Sequence, residues 1–204
     1  MRLVRFTLVL LLPLLHVTGL SAASTDPDWP CIQRKVPKIS PLQMWQGPEI
    51  TDEIRALAKD PAIEALASQL ARRRIGMDEA EKLIADFAAG LGDDRNRKLT
   101  ALFARTFDLI SSERDSVMAG ITRFAHKQQA LSRSIEEVRQ EAEKIRSAEP
   151  PDLDKLEEIE DKLAWDERIF RERMQSLRYV CETPVLLEKR LYAIAQAIQK
   201  HLEN

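Results

Sequence analysis

From about Arg95 to Ser147 the chain contains no proline and a single glycine, Gly120. Its apolar residues over that span recur in alternating steps of four and three. Phe103, Phe107, Ile110, Val117, Ile121, Phe124, Leu131, Ile135, Val138, Ala142 and Ile145 form a heptad seam, broken only by Arg114 and Gln128. Such a seam specifies a long helix with one stripe to bury, and therefore a helical partner. Glu149-Pro150-Pro151-Asp152 ends it, because proline cannot continue a helix and restricts the residue before it. Asp152 then caps a second long helix running to about Cys181.

The two stripes match as antiparallel partners. Ile145 with Leu156, Ala142 with Ile159, Val138 with Leu163, Leu131 with Phe170, Phe124 with Leu177 and Ile121 with Val180 all have residue numbers totalling 301. Heptads on both arms make a constant total easy once one layer matches. The informative point is that this total centres the turn on Pro150-Pro151. The same register sets Gln128 opposite Arg173 and Ile135 opposite Asp166 as two polar layers. Such layers fix register at a cost in stability, with a functional polar pocket as the alternative. At 1.5 Å per residue, arms of about 30 residues make a coiled-coil finger of about 45 Å. Its charged residues over 136–162 read as a solvated face.

Helix signals on either side of the hairpin build a body. Thr51 caps a short helix to about Lys59, and Asp60-Pro61 opens another over 61–75 with Ile63, Leu66, Ala67 and Leu70 on one face. Asp78 with Glu81 reads as a capping box for a helix over 78–90. Asp93 or Asp94 caps the long helix. Thr183-Pro184 restarts a last helix bearing Leu187, Leu191, Ile194, Ile198 and Leu202. The expected architecture is all-α: a helical body from 51–117 and 182–204, a coiled-coil hairpin over about 118–181, and an arm over 24–50.

Ahead of this, the first 23 residues read as a cleaved signal peptide. Arg2 and Arg5 precede an apolar run, Phe6 to Leu15, and Ser21-x-Ala23 is a small-residue cleavage pattern. Pro13 and His16 interrupt the run well short of the ~20 apolar residues that span a bilayer. No stable membrane insertion is expected after cleavage. Removing two arginines and no acid takes the formal charge from −2 to −4, which does not suit a nucleic-acid partner. The absence of an Asn-x-Ser/Thr site favours a bacterial periplasm over a glycosylating pathway.

The arm, quoted from Asp28 as DWPCIQRKVPKISPLQMWQGP, holds two of three tryptophans and one of two cysteines. Cys31 and Cys181, the only pair in an exported chain, are expected to form a disulfide. That bond would strap the arm across the body, with Trp29 and Trp45 as apolar anchors or, alternatively, as a binding face. Closing a loop of about 150 residues stabilises by up to about 4–5 kcal/mol in chain-entropy treatments.

Catalytic signatures are poor. His126 and His201 are the only histidines after cleavage, and His126 falls on an outward heptad position. No triad, C-x-x-C, Glu-x-x-His or phosphate loop is visible. A zinc site from Cys31, Cys181, His126 and His201 lacks the close ligand pairs usual for structural zinc. Arg72, Arg73 and Arg74 read as cations offsetting a helix C-terminus rather than as an anion site. No cofactor is expected. The reading is a non-catalytic periplasmic interaction or scaffold protein whose partner is another protein, with self-association also open. A holdase chaperone shielding clients with its finger is the alternative, and a small-molecule or metal binder in the body a weaker one.

Overall fold

The computed structural model describes Asp26 and residues 28–203; the segment 1–23 expected from the sequence to be a signal peptide lies outside them. Among the described residues the regular structure is entirely helical: α1 Asp52–Leu57, α2 Pro61–Ala71, α3 Met77–Ala89, α4 Arg95–Arg146 and α5 Leu153–Gln199. Short 3-10 turns cover Pro41–Gln43 and Gly92–Asp94.

Local chemistry explains most of the starts. Thr51 accepts a hydrogen bond from the Ile54 N–H, and Asp60 from those of Ala62 and Ile63 with Pro61 at the first helical position. Asp152 accepts from the Lys155 N–H at 3.0 Å. Each of these bonds satisfies an amide that has no carbonyl partner within its helix. Two expected caps are not made. Gly76 is the residue before α3 and the Asp78 capping box is absent, because the helix starts one residue earlier and puts Asp78 inside its first turn. Asp94 precedes α4 without capping it; its carboxylate instead meets Arg97 and Lys98. The second helix ends at Ala71 rather than at 75. Arg190 of α5 closes that end, donating to the Leu70 carbonyl at 2.7 and 2.9 Å and to the Ile75 carbonyl at 2.9 Å.

The long hairpin forms as the heptads require. α4 is 52 residues long and α5 is 47. Every seventh residue from Phe107 to Ala142 is buried, Arg114 and Gln128 included. The flanking ion pairs verify the register. Arg139–Glu167 (2.7 Å) and Arg146–Glu160 (2.6 Å) lie on one side of the seam, and Glu141–Lys155 (3.3 Å) on the other. Heptad-flanking positions of the same kind meet in this way only when the helices run antiparallel.

The expected break at Thr183-Pro184 does not occur, since α5 passes through Pro184 without ending. Leu177, Cys181, Pro184, Leu187, Leu191, Ile194 and Ile198 are all buried and keep one helical phase across the proline. An interior proline costs about 3 kcal/mol, while each large aliphatic side chain beyond it gains about 1.5–3 kcal/mol by burial. Packing on α4 therefore outweighs the breaker. Consequently the second arm of the hairpin and the last helix of the body are one element.

The body core gathers Leu99, Leu102, Phe103 and Ile110 from α4 with Ile63 and Leu70 of α2, Ile84 of α3, and Leu187, Leu191, Ile194 and Ile198 of α5. Thr100 and Thr106, buried within α4, return their hydroxyls to the carbonyls of Asn96 and Leu102, so neither leaves an unpaired donor.

Candidate functional site

The arm is held at three levels. Nearest the finger, Cys31 and Cys181 form a disulfide with Cα atoms 5.6 Å apart, as the sequence suggested. Around it Trp29, Met118, Ile121 and Leu177 make a second, smaller core, and the Trp29 indole donates to the Gln33 carbonyl at 2.6 Å. Midway, Arg114 reaches out of the seam at 1% exposure. Its Nε donates to Glu188 at 2.6 Å and one terminal nitrogen to the Val36 carbonyl at 2.5 Å. Lys38 pairs with Asp115 beside it at 2.5 Å. Farthest along, Trp45 stacks on Phe103 with ring centroids 4.3 Å apart and planes 5° from parallel. The Trp45 indole donates to the Pro48 carbonyl at 2.8 Å. Gly47 is required there, because a Cβ at that position would collide with the Trp45 ring. Trp29 and Trp45 are each 6% exposed, so their rings face the protein interior.

Of the two polar layers, neither has the expected form. Gln128 is 5% exposed, but Arg173 points to solvent rather than across to it. The Gln128 amide nitrogen donates instead to the Phe170 carbonyl at 3.3 Å, and its Oε1 has no hydrogen-bond partner. A long cation gains more from hydration than from facing a neutral amide across a mainly apolar seam. Ile135 is buried, while the partly buried Asp166 pairs along its own helix with Lys162 at 2.8 Å. At the root, Cys181 rather than Val180 takes the interior position near Ile121; Val180 is exposed.

The finger carries two surface features. A groove of about 530 Å³ runs along one flank beside Gln128, walled by Phe124, Phe170, Met174 and Leu177, with Arg133 at its tipward end. On the outward face of α5, Trp165 is 61% and Tyr179 75% exposed, with Leu186 exposed one heptad beyond. Both escaped the sequence reading, which followed the buried stripe and left the outer positions as solvated.

The remaining candidates are dispersed. Cys31 and Cys181 are consumed by their bond, and His126 pairs with Asp28 at 2.8 Å on the outside of α4. Arg72, Arg73 and Arg74 are exposed just past α2, where Arg73 lies 3.9 Å from Glu113. Among the described residues no group of three or more His, Cys, Asp or Glu side chains is arranged to hold a metal. None of the described helices is long and apolar enough to cross a membrane. Compared with known proteins, the chain matches no family profile, no characterised protein and no solved structure.

Proposed function

We propose that this is a non-catalytic exported interaction protein that offers the outer face of its hairpin to a protein partner. The observation that carries the reading is the set of exposed apolar residues Trp165, Tyr179 and Leu186 on one face of α5, which the core does not use; Glu172, paired with Arg168, takes the heptad position between the first two. Spacings of 14 and 7 residues keep the three on one helix face, drifting by only ~20° per heptad. They span about 32 Å of helix. Exposed aromatic residues in such a line are the kind of anchor that dominates protein interfaces. A rigid two-helix support, strapped to the body at its root, holds them in a fixed array. Export to the periplasm is supported by the signal-like opening segment and by the disulfide, which persists in oxidising compartments.

The test is capture from periplasmic extract with oxidised wild-type protein and with Trp165→Glu/Tyr179→Glu. Both residues face solvent, so helicity by circular dichroism should be unchanged. One stoichiometric partner retained by the wild type and lost by the variant is the expected result. A broad mixture of bound chains would favour a holdase, and equal capture by both proteins would remove the α5 face from the account.

A further inference from the structure

We propose that the groove beside Gln128 binds a single-chain amphiphile with an anionic head. Its volume, about 530 Å³, falls within the ~300–1,000 Å³ of small-molecule sites. From Phe124 to Arg133 it follows nine residues of α4, about 14 Å, which is room for an alkyl chain laid along the seam. The walls suit such a chain: Phe124 on α4, Phe170, Met174 and Leu177 on α5, with Pro30 of the arm at the body end. Met174 stands 41% exposed, and its flexible thioether adapts to the shape of a guest.

Charge sets the sign of the head. Arg133 is the only ionisable residue lining this groove; the depression next to it on the tip side brings Glu136 and Glu167, and Arg139 pairs with both of them. Among the described residues Arg133 makes no ion pair, whereas two arginines nearer the tip, Arg139 and Arg146, are each held by two glutamates. The adjoining depression over the disulfide adds Arg178 and no acid. An apolar trough ending at an uncompensated guanidinium favours an anion and disfavours a cation of equal chain length.

A second observation concerns the polar atoms. Gln128, 95% buried by its 5% exposure, lines the groove and keeps an Oε1 without a donor. An unpaired buried acceptor costs about 1–3 kcal/mol. A head carrying an N–H beside its carboxylate could relieve that after a small rotation of the amide, with Ser132 next to Arg133 as a further donor. The site is independent of the protein-binding reading: Met174 and Trp165 are nine residues apart and so project on opposite sides of α5.

The experiment titrates full-length oxidised protein with N-dodecanoylglycine by calorimetry, using dodecyltrimethylammonium as the cationic control. The expected result is saturable one-to-one binding of the anion that is at least tenfold tighter than any binding of the cation. Arg133→Glu, an exposed change that breaks no ion pair, should weaken the anion at least tenfold, and Arg133→Lys should restore most of the affinity. Non-saturating uptake, equal binding of both amphiphiles, or unchanged affinity in Arg133→Glu would each overturn the proposal.

Discussion

Arg114 occupies a seam place whose heptad neighbours are Phe107 and Ile121, so burial of its charge has to be offset by its partners. Its hydrogen-bond partners, Glu188 and the Val36 carbonyl, come from α5 and the arm, and the Asp115 carboxylate lies 3.9 Å away on its own helix. One side chain therefore couples three segments at the place where finger meets body. Arg114→Met should destabilise the protein by about 3 kcal/mol in urea unfolding, the low end for breaking a buried pair, because Glu188 keeps some access to water. Adding Glu188→Leu should recover most of that loss, since an apolar pair of similar volume needs no desolvation. Recovery would identify the loss as a stranded charge rather than a lost strap. The sequence marks Arg114 as the interruption where finger joins body but not its partners, which lie 78 and 74 residues away, beyond the reach of any local pattern. Gln128 illustrates the same limit. Heptad arithmetic places it in the seam, yet whether the facing arginine turns inward is decided by hydration and not by register.

At the scale of elements, the hairpin was legible because one physical requirement, a continuous apolar stripe on each arm, dictates length, direction and register together. The turn at Pro150-Pro151 and the cap at Asp152 follow from local chemistry. Pro184 was misread for the opposite reason, since its effect depends on packing that only the assembled body supplies. Replacing it tests that balance. Pro184→Ala restores the amide that the Val180 carbonyl lacks and loses part of a buried ring. The net expectation is about 1–2 kcal/mol greater stability, from ~3 kcal/mol of backbone gain less the lost packing. A lower melting temperature would mean that α5 needs a bend at Pro184 to fit the body. The arm gives a further test. Reducing Cys31–Cys181 should lower stability by no more than about 4–5 kcal/mol. It should also open Arg34, Lys35 and Lys38 to trypsin while helicity persists. The Arg114 and Trp45 anchors predict that cleavage is faster after Arg34 and Lys35, beside the opened bond, than after Arg55, beyond the Trp45 anchor.

The whole molecule is a small helical body from which two helices of one seam project, with the arm fastened across their root. The surfaces proposed to bind are also the part of the molecule that the sequence left unread. Buried stripes repeat and announce themselves, whereas Trp165, Tyr179 and Arg133 stand at outer positions where most residues are simply solvated. Their meaning appears only when the folded hairpin shows what remains uncovered. The most direct measurement is photo-crosslinking in cells, with a benzophenone amino acid placed at Trp165, at Tyr179 and, as a control on the body, at Lys59. The account predicts a single discrete adduct with another protein from Trp165 and Tyr179, and none from Lys59. Adducts only from Lys59, or no adduct from either α5 position, would contradict the claim that the hairpin is the interaction surface.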